Sequence, residues 1–255
     1  MSTELRHRQI LDLVEKKGVV SVEALAETLF ISPSSIRRDL AVLASQGLLK
    51  RSHGGAIAAS SIDQELPISY RINEQRENKR IIGKLAATLV KDNDFIFLDS
   101  STTTQHMVPF LSNKVDLTAF SNGAQTTLML GQNSNHRVYS TGGLLRRHTS
   151  SYVGDIACES LSKYNVNKMF FSCTSIDLES GITTANEDEA ALRRFIMKRS
   201  KSNILLIDSS KFDRAAFCTI SGFDLISHLV TEREPSAAWR DFLDAKGVKI
   251  LFPKP

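Results

Sequence analysis

The sequence predicts an α/β chain in two parts: a small N-terminal unit of three helices and a β-hairpin, then a larger domain on a mostly parallel sheet. Three observations predict it. Residues 4–57 carry three helix-period apolar patterns and end in a hairpin-like run around Gly54-Gly55. Residues 59–76 are polar and hold a proline, which suits a linker. From about Glu77 helical stretches alternate with short apolar runs, the mark of βα units whose strands lie parallel beneath helices on both faces. The 255 residues thus divide into a first domain at 1–58, a linker at 59–76 and a second domain at 77–255.

In the first unit, Ile10, Leu13 and Val14 mark one face of a helix over 4–17, which Gly18 ends. Ser21 caps a second helix, whose Val22, Leu25, Ala26 and Leu29 recur at i, i+3, i+4 and i+7. After a break at Phe30 and Ile31, Ser32 caps a third helix and Pro33 opens it, where a missing N–H costs nothing. Ile36, Leu40 and Leu43 face inward and Gly47 closes it. Two helices joined by a tight turn place the second in a DNA major groove, and Leu48–Ala58 supplies a wing.

With Ile36 inward, Ser34, Arg38, Ala41 and Ser45 point outward and Arg37 lies on the flank. Arginine can grip guanine edges or phosphate, serine can reach either, and N–H groups near Ser34 and Ser35 can hold a phosphate. The expected DNA-contacting residues are Ser32, Ser34, Ser35, Arg37, Arg38, Ala41, Lys50, Arg51 and His53. Net charge is only +4, but Ser34–Ile57 sets four cations against Asp39 alone, and local excess is what counts toward DNA.

In the second domain the expected strands are Phe95–Leu98, Val115–Phe120, Arg137–Ser140, Lys168–Ser172, Asn203–Ile207, Leu229–Thr231 and Val248–Phe252. Helices are expected at 79–90, 105–112, 124–130, 155–163, 187–200 and 236–246. Asp99 ends the first of these strands and Ser100, Ser101, Thr102 and Thr103 follow it into a helix, a set of hydroxyls and N–H groups suited to an anion. Ligands of open α/β sheets bind at strand ends. Asn122, Gly142, Gly143 and Lys211 each follow a strand, and Glu189 opens the helix at 187–200. Asp99 is expected to accept hydrogen bonds from a sugar hydroxyl.

The run SVEALAETLFISPSSIRRDLAVLASQGLLKRSHGGA resembles the DNA-binding domain of the DeoR family of sugar-metabolism repressors, most of all in Ile36-Arg37-Arg38-Asp39-Leu40 and the Arg-x-His-Gly-Gly wing. Asp39 is expected to pair with a neighbouring arginine and fix its direction. The resemblance continues through Pro67, Arg71, Lys79, Asp99–Thr103, Ser121-Asn122, Thr141-Gly142-Gly143, Val153-Gly154, Gly181-Ile182-Thr183, Glu189-Ala190 and Ser210-Lys211-Phe212. It implies a second domain similar to ribose-5-phosphate isomerases, a phosphorylated sugar as effector, and Thr183 among the effector-binding residues. Ser101, Ser172, Ser175 and Asp213-Arg214 stand where the family favours glycine, and these swaps point to an altered ligand shape.

Composition narrows the remaining classes. With 42% hydrophobic and 24% charged residues the chain reads as soluble and globular. No run approaches the roughly 18–20 apolar residues of a membrane helix, and Met1–Arg8 lacks a signal-peptide core. Cys158, Cys173 and Cys218 form no CxxC pair or Cys/His cluster, which fits a reducing cytoplasm and neither metal nor cofactor. The expected function is repression of a carbohydrate-catabolism operon by a homo-oligomer, dimer or tetramer, on double-stranded operator DNA, released by a phosphorylated sugar. The rivals are an isomerase-like enzyme with a DNA-binding head, using Asp99, Glu189 and Lys211 as acid and base groups, and an activator or dual regulator.

Overall fold

The structure is a computed structural model that describes residues 2–52, 54–58, 68–132 and 136–254. Backbone packing divides the chain into two compact units, Met1–Tyr70 and Arg71–Pro255. His53 and Pro67 lie outside the described residues.

The first unit runs α1 (Thr3–Lys17), β1 (Val19–Ser21), α2 (Val22–Leu29), α3 (Pro33–Ser45), β2 (Leu49–Ser52) and β3 (Gly55–Ala58). Serine starts α1, α2 and α3: the Oγ atoms of Ser2, Ser21 and Ser32 accept from the N–H groups of Leu5, Ala24 and Ser35. Each such cap is worth about 1 kcal/mol. Ile10, Val14, Leu25, Ile36, Leu40, Leu43 and Leu49 form the core. The antiparallel sheet has the order β1-β3-β2, so the wing gains a third strand that the short Val19–Ser21 run did not signal. Gly55 makes that addition possible, because a Cβ there would lie 2.2 Å from the Val20 carbonyl oxygen. Phe30 closes α2 in the left-handed region, at φ 56° and ψ 45°. That conformation costs an L-residue about 1–2 kcal/mol.

The boundary between the units falls within α4 (Ile68–Arg71), and the second unit continues through α5 (Arg76–Thr88), β4 (Phe95–Leu98), α6 (Thr102–Gln105), β5 (Thr118–Ser121), α7 (Ala124–Gln132) and β6 (Arg137–Ser140). Next come β7 (Leu144–Arg146), β8 (Ser151–Val153), α8 (Asp155–Ser162), β9 (Val166–Phe171), β10 (Ser175–Asp177), β11 (Gly181–Thr184) and α9 (Glu187–Met197). The chain ends with β12 (Ser200–Leu206), β13 (Cys218–Ser221), β14 (Ile226–Val230), α10 (Ala237–Ala245) and β15 (Lys249–Leu251). The helix expected at 105–112 breaks into α6 and a 3-10 turn at Val108–Phe110, where Pro109 removes a donor.

Seven strands form one sheet in the order β15-β14-β12-β9-β4-β5-β6, with every pairing parallel. Central strands are apolar on both faces: Ile96 and Leu98 join the core under α5 and α7, while Phe97 joins the core under α8, α9 and α10. The chain proceeds outward from β4 to β6, returns to β4's other side as β9, and proceeds outward again to β15. The strand order therefore reverses between β4 and β9. Such a reversal splays the following loops apart and opens a crevice at the strands' carboxyl ends. Among the described residues no helix is long and apolar enough to cross a membrane.

Candidate nucleic-acid interface and anion site

On α3, Ser32, Ser34, Arg37, Arg38 and Ala41 are exposed, as are Val42 and Ser45, whereas Ile36, Asp39, Leu40 and Leu43 are buried. The Ser32 Oγ lies 3.1 Å from that of Ser34 and 3.0 Å from that of Ser35, a hydroxyl cluster at the helix start. Arg37 rests 3.6 Å from Glu23 in an exposed pair, a contact cheap to exchange for a phosphate. Lys50 and Arg51 are both exposed on β2, but successive strand residues point to opposite faces. They do not line one edge together.

Asp39 departs from expectation. Its carboxylate takes a two-pronged bond from Arg6 (2.6 and 2.9 Å) and lies 3.0 Å from His7 Nε2. Both partners belong to α1, not to the neighbouring arginines of α3. Burial works against ionisation here, but the bonds from Arg6 and His7 outweigh it and hold the carboxyl below its ordinary range. Asp39 therefore locks α3 onto α1 and leaves Arg37 and Arg38 to point outward.

In the second unit, Asp99 and Ser172 end the two strands that flank the sheet's reversal point. The Ser172 N–H donates to one Asp99 oxygen at 3.2 Å, and Arg193 donates Nε and an Nη to that oxygen, both at 3.0 Å. The other oxygen accepts the Ser101 N–H at 3.0 Å and the Thr104 hydroxyl at 3.1 Å. Both oxygens are thus occupied from within, so Asp99 holds the 99–104 loop in shape, and no sugar hydroxyl is needed to explain it. Arg193 also donates to Glu189 (3.2 Å), which accepts from Ser151 (2.8 Å) and Arg146 (3.0 Å). Burial disfavours the Glu189 carboxylate, yet Arg193, the Ser151 hydroxyl and further arginines hold it down at about 2. Asp99–Arg193–Glu189–Arg146 is a continuous ionic chain through the 99–104 loop, α9 and β7.

Lys211 lies beside the same crevice. Its Nζ donates to the Cys173 carbonyl at 3.0 Å, lies 3.5 Å from the Ser172 hydroxyl and 3.8 Å from Asp208. Lys79 on α5 is only 3% exposed and donates to the Arg71 carbonyl. Burial first, and then the charge of Lys211, lower Lys79 to about 7. Asp208, 1% exposed, stands between these two cations electrostatically, and its carboxyl is held low against burial chiefly by Lys211. Two ammonium groups share essentially one buried counter-charge.

Several buried polar atoms near this loop have no partner among the described residues: Thr103 Oγ1, the Asn122 Oδ1 and both amide atoms of Gln105. Ser100 is held close by Gly123, where a Cβ would meet the Ser100 Cα at 2.9 Å. Ser101 caps α6, and Thr102 accepts a bond from His106 through its carbonyl. Not every expected effector residue joins this group. The Thr183 hydroxyl is spent on Ser175 and the Ala216 N–H. Gly142 and Gly143 sit in a left-handed turn, with Gly143 against Val153 and the start of α8.

The family model described as the DeoR C terminal sensor domain matches residues 74–233, and that of the DeoR-like helix-turn-helix domain matches residues 6–62. The chain belongs to the DeoR family. The HTH-type transcriptional regulator YulB of Bacillus subtilis is 34% identical over 96% of this chain and 95% of its own. The HTH-type transcriptional repressor GlcR of the same organism is 33% identical over 98% and 96%. A ribose 5-phosphate isomerase of Methanocaldococcus jannaschii is similar over 55% of each chain, with a TM-score of 0.42 and 14% identity. The DeoR-family chain is a DNA-binding transcriptional regulator, a reading its family favours over the isomerase rival.

The departures from family glycines can now be placed. Ser101 has φ −70° and serves as a cap, so no left-handed backbone is lost. Ser175 pairs its hydroxyl with Thr183. Asp213 does occupy a left-handed position, at φ 58°, but its carboxylate accepts the Trp239 indole N–H at 2.8 Å. Only Ser172 turns a hydroxyl toward Lys211. Sequence reasoning did not name Lys79, Arg193, Ser151, Arg146 or Asp208 as site residues. A signal existed for two of them. Lys79 shares a helical stripe with Ile82, Gly83, Ala86 and Val90, and Arg193 shares one with Ala190, Ile196 and Met197. A charge in an apolar stripe must have a buried partner or a ligand.

Proposed function

We propose that this DeoR-family protein represses a carbohydrate-catabolism operon and is released from operator DNA by a phosphorylated sugar whose phosphate binds between Lys79, Lys211 and the Ser100–Thr103 loop. The observation that carries this reading is the buried Lys79 beside Lys211, with Asp208 as their shared counter-charge. Unneutralised like charges in a buried site cost free energy, and a dianionic phosphate removes that cost. The partnerless Thr103 hydroxyl and Asn122 carbonyl oxygen are suited to the phosphate and sugar ends of such a ligand.

Release follows as a linked equilibrium. The ionic chain from Asp99 to Arg146 joins the loop that would hold the ligand to α9 and β7, so a shift at the loop reaches both elements. A coupling of about 1–3 kcal/mol corresponds to a change of roughly 5–150-fold in operator affinity. The protein acts in the cytoplasm as a dimer or tetramer, so that two or more copies of α3 meet repeated half-sites.

The test is a thermal-shift and gel-shift series with phosphorylated sugars and their unphosphorylated parents. Only phosphorylated sugars should raise the Tm and release DNA, and Lys211→Ala should abolish both responses while leaving DNA binding intact. Equal responses to the parent sugars would sink the phosphate reading.

A further inference from the structure

We infer that Phe30 is a DNA-contacting residue, its ring laid on the apolar deoxyribose and thymine-methyl surface at the edge of the groove that α3 enters. Phe30 is 95% exposed, the most exposed of the large apolar residues of the described chain. It contributes nothing to the core of its unit. Its backbone is left-handed, and the other non-glycine residues in that region are Gln75, Asn93, Asp116, Ser150 and Asp213, all polar. Such turns favour glycine or a short polar side chain that can bond locally, and a bulky apolar residue there is a true outlier. Neither packing nor local conformation accounts for phenylalanine at this position, so its reason lies outside the folded unit.

Position identifies the occupant. Phe30 is the turn between α2 and α3, two residues before the Ser32 cap and its hydroxyl cluster. In a helix-turn-helix the first helix crosses the DNA backbone and the start of the second meets base edges, so the turn between them overlies the sugar-phosphate rim. The hydroxyls of Ser32 and Ser34 and the exposed Arg37 and Arg38 supply polar contacts around it. Ala41 and Val42 are further exposed apolar residues, on α3 itself. An apolar side chain finds a matching partner in a thymine methyl group.

The inference rests on reading α3 as the recognition helix, and its test keeps the two separable. The probe is a duplex that the full-length protein selects from a random double-stranded library, bound at several salt concentrations. Phe30→Asn and Phe30→Gly both suit a left-handed turn, so neither should lower the Tm. Each should bind the duplex about tenfold more weakly, or about 1.4 kcal/mol, with the salt slope unchanged because no cation is lost. Phe30→Tyr, which keeps the ring, should stay close to wild type. Unchanged affinity in the Asn and Gly variants would overturn the inference. So would a lower Tm in both, which would make the ring a structural part of the head, or a change in sedimentation mass at unchanged affinity, which would give it to a second copy. If Arg38→Ala also leaves affinity unchanged, the reading of α3 itself fails; if Phe30 alone is silent, only this inference does.

Discussion

At the scale of single residues, charge placement separates the groups that read from the groups that hold. Arg38 is exposed and Asp39 next to it is buried, so adjacent residues of one motif have opposite tasks. Arg38→Ala should lose binding to the selected duplex with an unchanged circular dichroism spectrum; retained binding would remove it from the interface. Asp39→Ala should act on the fold, because Arg6 and His7 lose their shared acceptor. A loss of about 2–3 kcal/mol is expected for bonds to a charged group. The sole tryptophan, Trp239, belongs to the second unit, so the deficit should appear in the helical circular dichroism signal and not in tryptophan fluorescence. Since Asp39's carboxyl is held low in the folded state, its contribution is present above the unfolded carboxylate value and is lost as pH falls through the folded one.

At the scale of elements, α9 emerges as the strut of the sensor. Its i, i+4 pair Glu189 and Arg193 faces inward, and Arg193 binds Asp99 across the sheet's reversal point. Arg193→Met leaves the buried Asp99 without its cation and Glu189 with Arg146 alone, a change worth about 3–5 kcal/mol in comparable sites. Urea unfolding followed by Trp239 fluorescence should show the lower midpoint. Asp99→Ala should destabilise in the same way, since Arg193 loses one of its two buried carboxylates and the 99–104 loop loses the acceptor of Ser101 and Thr104. Loss of effector response in that variant therefore reports on the loop's shape as much as on ligand contact. Lys211→Ala is the cleaner probe because Lys211 is partly exposed and holds no part of the Asp99–Arg193–Glu189 chain.

For the whole molecule, the buried Lys79 makes effector binding depend on pH. With Lys79 lowered to about 7, the free protein loses that charge as pH rises through neutrality. A bound phosphate favours the charged form, so binding should take up a proton above neutral pH and weaken by up to about tenfold per unit. Below about pH 6 the phosphate itself loses its second charge, so affinity should peak between the two values. Calorimetry at pH 8 in buffers of different ionisation heat measures the uptake directly, and no uptake would exclude Lys79 from the site. The sign for stability is separate: the folded protein binds fewer protons at Lys79 than the unfolded chain, so this residue's penalty is fully present below pH 7 and fades as pH rises toward the ordinary lysine value.

The sequence by itself determined the two-part organisation, the capped helices of the head and the seven strands of the parallel sheet. These follow from local periodicity and from cap, proline and glycine chemistry, which act over a few residues. Ser32-Pro33, the inward Ile36, Leu40 and Leu43, and the apolar run Phe95–Leu98 needed no tertiary knowledge to be read. The sequence also located Asp99, Asn122 and Lys211 at strand ends, because strand ends are local features. Only the tertiary structure decided what those residues touch. Arg6 and Asp39 are 33 positions apart, Asp99 and Arg193 are 94 apart, and no periodicity links such partners. The small strands β1 and β13 likewise depend on distant neighbours for their pairing and are invisible in runs of three or four residues. Burial completes the difference: it alone turns Lys79 from one charge among many into a group that the fold holds uncomfortably beside a second cation.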